Sequence, residues 1–278
     1  MISEPIQPSI RPLILATAGL LALAILGTAL GFVFLPETPT SLTAIPQSLA
    51  WSMIAASALF MLTSWLVLRS AAKNASPIVF ILAILLGWYG LVVLIGQFGG
   101  FAARWLFVPN IVWAFILLAT VIRRLNASPG FGRLAEALPV NRLINLQVFR
   151  VMGVGFISLY IMKLLPGAFA LPTGLGDVLV GLSAPLVAYF YLTRKPLGRR
   201  LAIIWNYLGI ADLIMSITLG LLTYPEPLQV IPTTVSNGPI AQFPLVLVPV
   251  FAVPLSILLH LLTLRRLRLD FLPPNRYH

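Results

Sequence analysis

LAIIWNYLGIADLIMSITLGLL, residues 201–222, is apolar from end to end except for a few polar groups, and one of those is the carboxylate of Asp212 near its middle. A helix needs about 20 apolar residues to cross a hydrocarbon core of roughly 30 Å, and this stretch has them. An acidic side chain at the centre of such a helix costs about 2.5 to 3.5 kcal/mol on insertion scales, so it should face the interior of a bundle and have a partner there. At 100° per residue, Trp205, Gly209, Asp212, Ser216 and Gly220 fall on one stripe, which mixes small residues for close approach with polar ones for bonding across helices. Asn206 lies about a quarter-turn away.

The rest of the chain has the same character. Of 278 residues, 59% are hydrophobic and 9% are charged, far from the composition of a soluble globular domain. Segments long enough to span occur at 12–35, 47–68, 77–98, 105–122, 144–165, 176–193, 201–222 and 243–264, which makes eight. Basic residues cluster in alternate connections: Arg11; Arg69 and Lys73; Arg123, Arg124, Arg133 and Arg142; Arg194, Lys195, Arg199 and Arg200; and Arg265, Arg266, Arg268 and Arg276. Only Arg104, Arg150 and Lys163 of the 18 fall elsewhere. Because basic residues favour the cytoplasmic side, this alternation places both termini in the cytoplasm, and an error of one helix anywhere would scramble it. The expected fold is therefore an all-α integral membrane protein of eight transmembrane helices. The first span is too long for the apolar region of a signal peptide and reads as a retained helix.

The net charge of +11 is explained by topology rather than by nucleic acid, and no basic strip interleaved with aromatic residues is present. Cysteine is absent and the two histidines are His260 and His278, which excludes thiolate metal sites, iron–sulfur clusters and cysteine nucleophiles and disfavours a bis-histidine haem. No H-E-x-x-H, G-x-S-x-G or Walker sequence occurs, so no enzyme class is assigned and no cofactor or metal is expected. The lipid bilayer is the expected partner, with other membrane proteins or further copies of the chain as candidates.

Residues 1–122 form a first four-helix half, 123–143 a cytoplasmic connection with a short amphipathic helix, and 144–278 a second four-helix half with a basic tail. Both halves would start on the same side, so any repeat would be parallel; Leu35-Pro36 echoes Leu165-Pro166, and VIRRL echoes TLRRL. The proline-rich connection 223–242 reads as a cap of irregular structure.

Candidate partners for Asp212 lie on the fifth span, where Gln147 and Arg150 are followed by Gly153, Tyr160 and Lys163. Arg150 reaches toward the depth of Asp212, and these two are expected to pair. LPTGLGDVLVGLSAP, residues 171–185, reads as an outer turn with Thr173 as an N-cap and Asp177 in the first turn of the sixth span, where the helix dipole favours a negative charge. Lys163, at the outer end of the span before it, is the expected partner of Asp177. On the eighth span, Pro249, Val253, Ser256, His260 and Thr263 share a face, and His260 reads as a buried histidine bonded to a neighbour rather than a ligand. Trp51 and Trp105 suit an outer aromatic belt, and Trp88, Trp113 and Trp205 suit helix packing.

ALPTGLGDVLVGLSAP, WNYLGIADLI and FPLVLVPVFAVPLSILLHLLTLRRL together resemble segments of a group of uncharacterised bacterial polytopic membrane proteins. That resemblance covers about the second half of the chain. It implies a bacterial inner-membrane protein and marks Asp177, Asn206 and Asp212 as motif positions, with no activity attached. The intramembrane charges suggest a small-solute or proton-coupled transporter with Asp212, Arg150, Asn206, Gln147 and Ser216 along its pathway, Lys163 and Asp177 as an outer pair and His260 as a weaker candidate. The small-residue stripes equally suit an integral accessory or assembly subunit of a larger membrane complex. An intramembrane enzyme acting on lipid ranks last.

Overall fold

The computed structural model describes residues 76–97, 104–127, 138–194, 196–225 and 227–269. It is all-helical in these residues: α1 (Ser76–Gln97), α2 (Arg104–Ala127), α3 (Val140–Leu146), a 3₁₀ stretch (Gln147–Gly153), α4 (Val154–Ile161), α5 (Gly167–Thr193), α6 (Leu197–Leu222), a 3₁₀ turn (Gly238–Ala241), a π-helical stretch (Val248–Ala252) and α7 (Val253–Leu269).

Four helices among the described residues are long and apolar enough to cross a membrane: Val140–Ile161, Gly167–Thr193, Leu197–Leu222 and Val248–Leu269. The expectation of eight is thereby reduced to four in what the structure describes. The first two expected spans, Trp51 and the connection around 128–137 lie outside the described residues. The third and fourth fall on α1 and α2, whose described apolar stretches, Ile84–Gly96 and Ile111–Arg123, are shorter.

α5 is the centre of the bundle. One face packs along the whole rod formed by α3, the 3₁₀ stretch and α4, and another packs along α6; α7 closes the far side against α6 and α3. The 194–196 turn, the start of α3 and the last turn of α7 share the basic end. There Arg199 donates to Leu267 O at 3.0 and 3.3 Å, and Arg266 Nε donates to Leu138 O at 3.2 Å. A guanidinium is a suitable group to satisfy the last carbonyls of a helix. The opposite end, called the loop end below, carries the 162–166 turn and the irregular segment 223–247.

Each end has its own apolar core. Val140, Ile144, Val148, Ala184, Ala188, Ala202 and Trp205 pack together toward the basic end. Phe156, Leu159, Phe169, Tyr224, Ile240, Leu245 and Val246 pack under the loop segment. The 223–242 connection is thus an ordered cap. Buried Asn237 pins it by donating to Gly220 O at 3.2 Å and Thr223 Oγ1 at 2.8 Å, while the amides of Val230 and Ile231 both donate to Leu222 O at 2.9 Å.

The main departure from expectation concerns LPTGLG. It is helix, not turn: α5 starts nine residues before the expected 176, after Pro166 in an extended conformation, and Pro172 lies inside it. Thr173 is consequently no N-cap. In water this stretch would break a helix, but a packed membrane helix tolerates proline because neighbours satisfy the freed backbone groups. The glycines serve close packing. A Cβ on Gly174 would stand 2.7 Å from Ile157 Cγ1 and 2.8 Å from Gly153 O, so the α5 backbone lies against the backbone of the rod. The actual turn is one step earlier, where Lys163 adopts φ 59° and the amides of Leu164 and Leu165 bond back to Leu159 O. The eighth span also starts later than expected, at Val248, because residues 243–246 form turns. Trp88 packs edge-on against Phe251 with ring centroids 5.1 Å apart, whereas Trp113, expected to pack, is 66% exposed on α2.

Candidate functional site

The rod's 3₁₀ stretch sets the geometry of the polar centre. With three residues per turn, positions i and i+3 eclipse, so Gln147, Arg150 and Gly153 line up on one face, and all three are buried. A continuous α-helix would have rotated them apart. Gly153 brings α5 close: a Cβ there would overlap Asp177 Cβ and stand 3.0 Å from Gly174 O. Arg150 and Asp177 are therefore neighbours across a close contact between the rod and α5.

Arg150 is the hub, its side chain 1% exposed. Nε donates to Asp177 Oδ1 at 2.7 Å, and Nη2 donates to Asp212 Oδ2. Nη1 reaches Gly209 O and His260 Nε2, each at 3.3 Å. One guanidinium thus joins three other helices: α5 through Asp177, α6 through Asp212 and Gly209, and α7 through His260. The expected Arg150–Asp212 pair is present as an ion pair. Asp177, in contrast, is paired with Arg150 and not with Lys163. Depth explains this, since ten residues of α5 precede Asp177 and place it about 15 Å along the helix axis from its start. Lys163 sits in the turn, on a groove lined by Tyr160, Pro166, Gly167 and residues 232–235.

The hydrogen bonds also settle the state of His260. Asn206 Nδ2 lies 2.7 Å from Ala202 O, which can only accept, so its Oδ1 faces His260 Nδ1 at 2.9 Å. Nδ1 must then carry the proton. On the other side Nε2 faces a guanidinium, which can only donate, so Nε2 must accept. Both neighbours assign the same neutral tautomer. The ring is held in place by Trp205, at 5.3 Å between centroids, whose Nε1 donates to Ser183 Oγ at 2.8 Å.

Two glycines make the room. A Cβ on Gly176 would fall inside the Asp212 carboxylate, and one on Gly209 would fall inside the His260 imidazole. Sequence reasoning read Gly209 as a packing residue and Gly176 as the start of a helix; both are the space into which the charged centre fits. A glycine one residue from one aspartate, and another three residues from the second, is the signal that could have shown it.

Gln147 and Ser256 form a closed reciprocal pair beside this centre. Gln147 Nε2 donates to Ser256 O at 2.9 Å and Ser256 Oγ donates to Gln147 Oε1 at 2.6 Å. Ser216, one turn from Asp212, is buried and makes no hydrogen bond to any described residue, and the same holds for the Thr173 hydroxyl, one turn from Asp177. Neither hydroxyl was singled out by the sequence for this reason.

What the centre can do follows from its charges. Two carboxylates share one guanidinium and the histidine is neutral, so with both carboxylates ionised the group carries one surplus negative charge. Their side chains are 14% and 11% exposed, and such burial opposes an uncompensated charge. A proton or a cation restores neutrality. Among the described residues, no group of three or more metal-ligating side chains stands together.

No curated protein and no solved structure matches the chain. A family model described as a domain of unknown function (DUF8737) matches residues 105–268, a range that takes in Arg150, Asp177, Asn206, Asp212 and His260 alike. The chain belongs to the DUF8737 family.

Proposed function

We propose that this protein is a multi-pass transporter of a bacterial inner membrane, with both termini cytoplasmic, which couples a small solute to a proton or cation at the Arg150 centre. The observation that carries this reading is the sharing of one buried guanidinium by Asp177 and Asp212. A purely structural pair needs one carboxylate; the second gives the centre a reason to take up and release a positive charge. Asn206 and His260 hold the fourth side of the guanidinium, and Gln147 fixes the rod against α7.

The test is electrical recording on solid-supported proteoliposomes exposed in turn to amino acids, sugars, organic acids and inorganic cations. A solute-dependent current is expected from the wild type and not from a folded Asp212→Asn variant. A full current from that variant would remove the centre from the transport cycle, and no current from the wild type would remove transport.

One observation favours the alternative, an integral accessory subunit. Trp113 lies near the middle of α2 and is 66% exposed, whereas tryptophans facing lipid concentrate at the membrane interfaces. A stoichiometric protein partner that survives two chromatographic steps in mild detergent supports that reading, and a lone monomer or homodimer counts against it.

A further inference from the structure

A cavity of about 30 Å³ lies on the loop-end side of Arg150, between α5, α6, α2 and the π-helical stretch. Its wall is apolar, with Phe156, Phe169, Leu213 and Ile217 among it, except at Thr173, Asp177 and Ser216. These three residues belong together. Thr173 lies one turn outward from Asp177 on α5, and Ser216 one turn outward from Asp212 on α6, so both residues line the cavity just beyond the carboxylates.

Those hydroxyls behave unlike the others in the bundle. Thr120, Ser158, Ser183, Thr193, Thr218, Thr223 and Thr263 all donate to the carbonyl four residues earlier on their own helix. That is the ordinary way to satisfy a hydroxyl in an apolar setting. Thr173 and Ser216 have the same option and do not take it, although they are only 3% and 6% exposed. A buried hydroxyl without a partner costs about 1 to 3 kcal/mol, so two on one cavity point to a guest.

The donors and acceptors identify that guest. The wall offers two hydroxyls and one carboxylate, so a guest that can both accept from a hydroxyl and donate to Asp177 satisfies all three. A metal cation does not fit, because the wall's side-chain oxygens come from Thr173, Asp177 and Ser216 alone, too few for the six or so oxygen ligands that a hard cation takes. An organic solute does not fit, because about 30 Å³ is far below the roughly 150 Å³ of a cavity that admits benzene, whereas a water needs only about 10 to 15 Å³. We infer that the cavity is a binding site for a single water molecule, held by Thr173 and Ser216 against Asp177, which makes Asp177 the carboxylate of the centre that is hydrated from the loop end. Asp212 is not on this wall. In proton exchange, the water gives one proton to an Asp177 oxygen and takes another from the loop side, and the reverse transfer returns the centre to its charged state. This refines the transport reading by naming the carboxylate through which a proton enters, but the site itself stands whether or not the protein transports.

X-ray radiolytic footprinting of the full-length protein tests it, because radicals formed from a bound water oxidise the side chains beside it. Phe169 lines the cavity and Phe251 does not, yet both are 4% exposed; Leu213 and Leu143 make a second matched pair at 3% and 1%. Phe169 and Leu213 should be oxidised about an order of magnitude faster than Phe251 and Leu143, as expected of residues touching bound rather than bulk water. The isosteric change Thr173→Val combined with Ser216→Ala should bring Phe169 down to the rate of Phe251. Equal rates for the matched pairs in the wild type would overturn the site, as would an unchanged Phe169 rate in the folded double variant. If the double variant does not fold, the wild-type comparison decides alone. A water found at this site in a protein with no solute-driven current would retain the inference and remove only its role in transport.

Discussion

The two sides of Arg150 are built on opposite rules. Toward the basic end, the side chains around the guanidinium bond one another: His260 bonds Arg150 and Asn206, Asn206 bonds Ala202 O, and Gln147 and Ser256 bond each other twice. Toward the loop end, Thr173 and Ser216 make no hydrogen bond to any described residue and stand on a cavity. Both sides are buried to a similar degree, so burial does not separate them. A closed network fixes the register of the helices, whereas a side with spare donors can receive something. On the transport proposal, the first side serves structure and the second serves exchange.

Substitutions can break this contrast. The largest effect is expected at the hub, where Arg150→Met leaves two carboxylates buried without their cation; breaking a buried pair in this way costs about 3 to 5 kcal/mol. Equilibrium unfolding in mixed micelles measures it, and a loss below about 1 kcal/mol would show that the carboxylates are solvated from elsewhere.

Glycines on the two sides should respond with opposite signs. Gly209→Ala drives a methyl into the His260 ring and should cost about 1 to 3 kcal/mol, as overpacking does. Gly220→Ala, on the cavity side, meets only Phe169 Cε2 at 3.4 Å, an ordinary contact, and should gain about 0.5 to 1 kcal/mol from helix propensity. Equal effects at the two positions in the same unfolding assay would erase the distinction between a filled side and an open one.

The smallest effect is expected at Ser216→Ala. Its hydroxyl bonds no described residue, so the loss is confined to one bond to water, about 0.5 to 1 kcal/mol. Asn206→Leu, by comparison, strips His260 Nδ1 of its acceptor and should cost about 1 to 3 kcal/mol. A Ser216→Ala loss as large as that of Asn206→Leu would mean that the cavity side is as tightly bonded as the other.

Much of this was legible in the sequence because depth in a membrane is easy to count. The spans from 201 and 144 place Asp212 near the middle of its helix and Arg150 about five residues nearer the cytoplasmic end, within reach of a long side chain, and the ion pair follows. His260 as a bonded core histidine and the stripe of Gly209, Ser216 and Gly220 are legible for the same reason. The reading of LPTGLGDVLV goes astray because proline and glycine carry a meaning in water, where they end helices, that differs from their meaning in a packed bundle, where they admit a neighbouring backbone. That single shift moved Asp177 from the first turn of its helix to the centre and exchanged its expected partner Lys163 for Arg150. The 3₁₀ stretch was not legible either, since the run from Gln147 to Gly153 has no composition that distinguishes it from an α-helix. Its effect shows only in the three-residue spacing of Gln147, Arg150 and Gly153, which becomes meaningful once all three face inward.

That Asp177 and Asp212 depend on one shared guanidinium is tested most directly by a thermodynamic cycle. Unfolding free energies would be compared for the wild type, Arg150→Met, the pair Asp177→Asn with Asp212→Asn, and all three changes together. With the carboxylates neutralised, Arg150→Met should no longer leave a buried charge, so the triple variant should recover about 0.5 to 3 kcal/mol relative to the sum of the separate losses. Strictly additive losses would contradict the shared centre.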